Sequence, residues 1–219
     1  MRVASYNTRD LRDDGAAAAG VVRAIGPDVL CLQEVPRRLF AERRVAAFAR
    51  SCGMTWSGGH RGSGGTTVFT APRVEVHEQL HRRLPVRFPD RTRGYAVATV
   101  VAPGHQPMTV VSVHLSLQPE ERLRHAAIVL DAVAAADRLV VCGDLNEDAS
   151  GAAFSVLASR LRVVSTPEAT FPARAPRHRL DVILATPDVD VAPHAELDLP
   201  VGLMAAASDH RPVWVDVLA

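Results

Sequence analysis

Lysine is absent from this 219-residue chain, whose 25 basic residues are all arginine, and the formal net charge is only +1. A charge so close to zero gives no global attraction for a polyanion, so any nucleic-acid contact has to come from a local basic patch. Aromatic residues are scarce at 5%, which argues against single-strand recognition built on a ladder of stacking rings. There are three cysteines, an odd count, and Cys31 and Cys142 stand inside apolar runs. A disulfide framework is thereby excluded and buried thiols are expected. No apolar stretch approaches the roughly 18 residues that span a bilayer, so membrane insertion is not expected. The chain opens directly on a strand-like run, without the basic, apolar and small-residue regions of a signal peptide, and a cytoplasmic protein is the expectation. Internal repeats and low-complexity linkers are also missing, so residues 1–219 are read as a single domain, with a monomer favoured.

What the chain does have is a series of short runs rich in Val, Ile, Leu and Thr. They cover residues 2–6, 28–32, 66–70, 95–101, 109–114, 139–142, 180–184 and 212–218, and they read as strands. Several are nearly continuous in apolar character, which suits strands covered on both faces. Helical spacing is found over 15–25, part of 38–51, 120–136 and 152–159. In the third helix Ser116 is a candidate cap, Pro119, Glu120 and Glu121 suit the first turn, and Leu123, Ala127, Leu130 and Ala134 form the expected buried stripe. Strands and helices alternate from end to end, so two packed sheets flanked by outer helices are expected. The stretches 58–65 and 166–176 read as loops within that domain.

Polar residues cluster where the apolar runs end. Asn7, Glu34 and His114 each close a strand; Asp144 and Asn146 follow another; Asp181 interrupts a run ending in Ile183 and Leu184; Asp209 and His210 precede the last. A single acid or amide after a strand is ordinarily a turn residue or a cap. Six such positions in one domain match the needs of phosphoester hydrolysis. That reaction calls for carboxylates such as Glu34 and Asp209 to hold a hard cation. It also calls for a carboxylate such as Asp144, beside Asn146, to orient or deprotonate water, and for donors such as His210, His114, Arg93 and Asn7 around the phosphate oxygens. A carboxylate partner such as Asp181 would keep His210 protonated.

The ordered segments Ser5-Tyr6-Asn7, Leu32-Gln33-Glu34, Val113-His114-Leu115, Gly143-Asp144-Leu145-Asn146, Arg179-Leu180-Asp181 and Ser208-Asp209-His210 together resemble the endonuclease/exonuclease/phosphatase, or DNase I-like, superfamily. Thr170-Phe171-Pro172 and Arg93 resemble it too. The resemblance implies a four-layer α-β-β-α sandwich and a metal-dependent phosphoric ester hydrolase. It implies Glu34 as the main Mg²⁺ ligand, with Asn7 and Asp209 near the same ion and Mn²⁺ as a substitute. It further implies Asp144 as water-activating, Asn146 on the scissile phosphate, His210 binding or protonating that phosphate while held by Asp181, and His114 and Arg93 completing the pocket. One metal or two is left open, a second sitting by Asp144 and Asn146.

Some nucleases of this group carry a tyrosine in the phosphate pocket, but Tyr6 and Tyr95 both lie inside apparent strands. The 58–65 loop offers His60 and Arg61 instead. The one basic patch is the segment 80–93, read as a loop carrying His81, Arg82, Arg83, Arg87, Arg91 and Arg93; arginine forks suit phosphate oxygens. Three functions stay open: a phosphodiesterase or nuclease for DNA or RNA with little sequence preference, a phosphatase or phosphodiesterase for a small metabolite or phospholipid head group, and a non-catalytic phosphate-binding module.

Overall fold

The computed structural model describes residues 1–219 apart from the side chain of Arg61, so the reading of Arg61 as a phosphate clamp lies outside the described residues. The first sheet contains β1 (Arg2–Asn7), β2 (Val29–Gln33), β3 (Thr67–Thr70) and β10 (Val213–Asp216), in the order β10-β1-β2-β3. The second contains β4 (Glu75–Leu84), β5 (Arg93–Val101), β6 (Met108–His114), β7 (Leu139–Asp144), β8 (Arg162–Val163) and β9 (Asp181–Ala185), in the order β4-β5-β6-β7-β9-β8. Five α-helices complete the described chain: α1 (Gly15–Ile25), α2 (Ala41–Ser51), α3 (Pro119–Ala132), α4 (Ala152–Ala158) and α5 (Val201–Ala207). No helix among the described residues is long and apolar enough to cross a membrane.

The alternation of side chains along each strand sets the layers. Val29 and Cys31 of β2 and Val140 and Cys142 of β7 face one another in a core between the sheets, built mainly from Val, Ala and Cys. Their neighbours point outward: Leu30 and Leu32 meet α1, α2 and α5 on one side, and Leu139 and Val141 meet α3 and α4 on the other. Both faces of these strands are thus covered, which explains the unbroken apolar runs. The result is the expected helix, sheet, sheet, helix sandwich. All three cysteines are buried as free thiols.

Four readings need correction. The segment 80–93 is only in part a loop, because 75–84 forms β4, paired with β5 from Glu75 to Leu84. Its charged residues hid it: β4 is an edge strand with one partner, and exposed charges are the usual protection of such an edge. The cap of α3 is Gln118 rather than Ser116. Ser116 instead donates its hydroxyl to Glu121 Oε2 at 2.6 Å. That contact, with Glu121 Oε1 accepting from Arg87 N and His125 Nε2 bonded to Pro85 O, turns a different stripe inward. The buried residues are Glu121, His125, Ala126 and Val129, while Leu123 is 41% exposed. The helix also stops at Ala132, four residues early, and the short elements β8 and α5 escaped notice for want of a sustained period.

Candidate active site

The site lies at one edge of the sandwich, where β1, β2, β6 and β7 end and β5, β9 and β10 begin. Strand register puts its residues side by side. Across the second sheet Gly94 pairs with His114, His114 with Asp144, and Asp144 with Asp181. Arg93 stands beside Gly94 at the head of β5, so four polar side chains come from one row of strand ends. From the first sheet Asn7 and Gln33 form a facing pair, followed by Glu34. His210 arrives from the turn before β10. Gly143 makes the row possible, since a Cβ there would stand 2.0 Å from Val113 O.

Asp144 is the hub. Its Oδ1 accepts from Asn146 N at 2.9 Å and its Oδ2 from Asn7 Nδ2 at 2.9 Å, with His114 Nε2 at 3.5 Å and His210 Nε2 at 3.8 Å from the same oxygen. Asn7 and Asn146 are the only asparagines in the chain. His210 Nδ1 lies 2.8 Å from Asp181 Oδ2, which also accepts the Thr170 hydroxyl at 2.6 Å. The His210 ring packs on Phe171 with centroids 4.9 Å apart. With Nδ1 held by Asp181, Nε2 is left to face Asp144. One backbone carbonyl, Leu115 O, aims two further donors, accepting from Arg93 Nε at 2.9 Å and from Asn146 Nδ2 at 3.0 Å.

Electrostatics divides these groups. Burial pushes the Asp144 carboxyl up to about 6, and the Asp181 charge adds to the shift, while His210, Asn146 N and the Asn7 amide oppose it. Burial works against a charged His210, yet the charge and hydrogen bond of Asp181, aided by Asp144 and Asp209, raise its pKa to about 10. Its imidazolium persists at neutral pH. His114 goes the other way: burial, with Arg93, His210, Arg37 and Arg91 nearby, holds it well below the ordinary range as a neutral ring. Burial lowers Arg93, with Glu34 and Asp144 favouring its charge, and a guanidinium starting from so high a pKa stays cationic.

Asp144, Asp181 and His210 also offer ligand atoms within 4.8 Å of one another, a spacing open to a metal ion. The proton that Asp181 keeps on His210 opposes ligation by that ring, because a metal takes neutral imidazole. Glu34 differs. It stands at φ 51°, an uncommon conformation for a non-glycine residue, with its carboxylate 25% exposed and His114 Nε2 3.8 Å away. Asp209 Oδ2 engages Arg9 Nε at 3.2 Å, and the Arg9 charge is favoured by Asp209, Asp13 and Glu34 together. Asn7 Oδ1 accepts from Arg9 N. Two carboxylates and an amide oxygen near one partly open edge are hard oxygen donors of the kind magnesium takes, so the donor set fits such an ion.

Three supporting residues stand in the sequence only as members of the quoted segments, with no role assigned to them. Ser208 donates to Asn7 O and accepts from His210 N, tying the two ends of the chain together. Gln33 bonds Ser112 at 3.0 Å beneath the site, bridging the sheets. Thr170 holds Asp181, and only the Thr-Phe-Pro pattern marked it. Neither tyrosine serves the phosphate pocket: Tyr6 is wholly buried, with its phenol driven far above its usual range, and Tyr95 is 5% exposed.

A model of the Endonuclease/Exonuclease/phosphatase family matches residues 4–210, and the chain belongs to that family of phosphoester hydrolases. Among solved structures, an endonuclease/exonuclease/phosphatase from Beutenbergia cavernae DSM 12333 is 25% identical, with a TM-score of 0.78 over 99% of this chain and 71% of that one. The mannosyl-6-phosphatase of Bacteroides thetaiotaomicron VPI-5482 superposes at 0.77 with 16% identity, each chain covered in full. TDP2 of D. rerio, complexed with single strand DNA product, superposes at 0.72 with 20% identity over 100% of this chain and 99% of that one. A sugar phosphatase and a DNA-binding enzyme thus share the fold, which leaves substrate to the site itself. No curated protein sequence matches the chain.

Proposed function

We propose that residues 1–219 work as one catalytic domain, a magnesium-dependent phosphoester hydrolase acting as a phosphodiesterase or nuclease on DNA or RNA with little sequence preference. The observation that carries this reading is the buried constellation in which His210 Nε2 lies 3.8 Å from Asp144 Oδ2 and His210 Nδ1 2.8 Å from Asp181 Oδ2, with burial raising the Asp144 carboxyl and Asp181 raising His210. Environments that push two titratable groups in such directions mark an acid and a base.

Asp144 takes the proton of the attacking water or holds that water in line, its two oxygens fixed by Asn146 N and Asn7 Nδ2. His210 presents Nε2–H to a phosphate oxygen, and Asp181, held by Thr170, keeps the ring charged and oriented. Arg93, Asn146 and neutral His114 surround the remaining oxygens. Glu34, Asp209 and Asn7 would hold Mg²⁺ or Mn²⁺, which when bound neutralises charge developing on the phosphate and its leaving oxygen.

A second reading, a phosphatase or phosphodiesterase for a small phosphorylated metabolite, is favoured by the cleft beside Glu34. Its volume of about 520 Å³ falls within the range typical of small-molecule sites. Purified protein assayed with Mg²⁺ or EDTA against plasmid DNA, single-stranded DNA, RNA, bis-p-nitrophenyl phosphate and its monoester separates the two. Metal-dependent nicking abolished by His210→Ala supports the nuclease; monoester turnover alone supports the second reading. Silence on every substrate overturns both and leaves a phosphate-binding module.

A further inference from the structure

The cleft that shares Glu34 with the site is walled by arginines from stretches far apart in the chain: Arg12 after β1, Arg37 and Arg38 between β2 and α2, Arg83 on β4 and Arg91 before β5. Two carboxylates, Asp10 and Glu34, line it as well. Arg12 Nε lies 3.6 Å from Asp10, and Glu34 belongs to the proposed cation. Five guanidinium groups converge here in a chain whose net charge is +1, and like charges gathered in one concavity repel until an anion joins them.

The wall is built rather than merely solvated. Arg37 Nη1 donates to Gly64 O at 3.0 Å and Thr92 O at 3.2 Å. Its stem lies across Gly65, where φ is 97° and a Cβ would stand 2.8 Å from Arg37 Cδ. A long side chain whose ordering is already met by the backbone loses less entropy when it binds. Arg38 and Arg91 contrast with it. Both are exposed, and their guanidinium groups make no ion pair among the described residues. The cleft also adjoins the reacting centre, since Arg37 and Arg91 are close enough to disfavour charge on both His114 and Arg93.

We propose that this arginine cleft is a subsite for a second phosphate group of the substrate, so that the enzyme prefers phosphoesters carrying another phosphate near the scissile one. The inference rests on the hydrolase reading and adds the substrate class. A nucleotide chain and a polyphosphorylated small molecule both present that chemistry.

Two substrate pairs test it: thymidylyl-thymidine with and without a 5′-phosphate, and a hexose bisphosphate against the monophosphate. In whichever pair is turned over, kcat/KM is expected to be at least about tenfold higher for the member with the extra phosphate, the worth of one charge-assisted contact. That ratio should collapse in Arg38→Ala/Arg91→Ala. A ratio near one in the wild type, or one unchanged in the variant, overturns the subsite. Activity on the first pair alone points to a nucleotide chain, and on the second alone to a small molecule. Calorimetric binding of inorganic pyrophosphate in EDTA reads the cleft without catalysis. Affinity at least about tenfold weaker in the variant is expected, and equal affinity overturns the proposal even if the hydrolase reading stands. Failure of hydrolysis with the binding difference intact overturns only the hydrolase reading.

Discussion

The buried polar row and the arginine cleft meet at Glu34, yet they hold charge in opposite ways. Asp144, Asp181 and His210 are 1%, 0% and 6% exposed, and each is fixed by named partners from other segments of the chain. Buried ions left unpaired cost several kcal/mol, on the order of 3–5 when a partner is removed, so their geometry is tightly determined. Arg38 and Arg91 stay in water, where an unpaired charge costs little, and they ride on connections rather than on strands. The row therefore tolerates almost no substitution, while the cleft can vary without threatening the fold. On the proposed reading, chemistry would fall to the rigid part and selectivity to the permissive part.

The strongest way to break this contrast is inside the row. Asp144→Asn keeps shape and removes the base, and kcat on bis-p-nitrophenyl phosphate should fall roughly 10²–10⁴-fold. A loss under about tenfold would contradict the assigned role. Next comes the cation. Glu34→Gln should weaken Mg²⁺ binding by more than the roughly tenfold that losing an outer-sphere partner costs. Calorimetry showing unchanged affinity would remove Glu34 from the ligand set.

The pH dependence sharpens the comparison further. Asp144 must be ionised, so activity rises with pH up to about 6, or lower when a cation at Glu34 favours the carboxylate. His210 must be protonated, so activity falls as pH passes about 10. Asp181→Asn removes the charge that raises the His210 pKa, and the alkaline limb should move toward neutrality. A limb that stays in place would mean that Asp181 does not hold the proton on His210. The smallest effect belongs to the half-exposed Arg9, which engages Asp209. Arg9→Ala frees that carboxylate and should tighten Mg²⁺ binding by no more than about fivefold, the worth of an exposed ion pair. Weaker binding in the variant would show that Arg9 supports the ion rather than competing with it.

The amino-acid sequence alone specified the layers and most of the positions that gather at the candidate site. Short unbroken apolar runs suit strands covered on both faces, and polar residues placed at their ends reach one edge once β5, β9 and β10 run opposite to β1, β2, β6 and β7. Asn7, Glu34, His114, Asp144, Asp181 and His210 were legible for that reason. What depended on contacts between distant segments was not. The face that α3 buries was decided by Ser116, Arg87 and Pro85 acting on Glu121 and His125. The polar edge strand β4 took its register from β5, and the supports from Ser208 and Leu115 O reach across 201 and 22 residues. The arginine cleft is the clearest case. Arg83 and Arg91 belong to the basic segment 80–93, but only folding brings Arg12, Arg37 and Arg38 to the same wall. Periodicity records what each segment buries, whereas convergence of charge from separate segments exists only once the chain has folded.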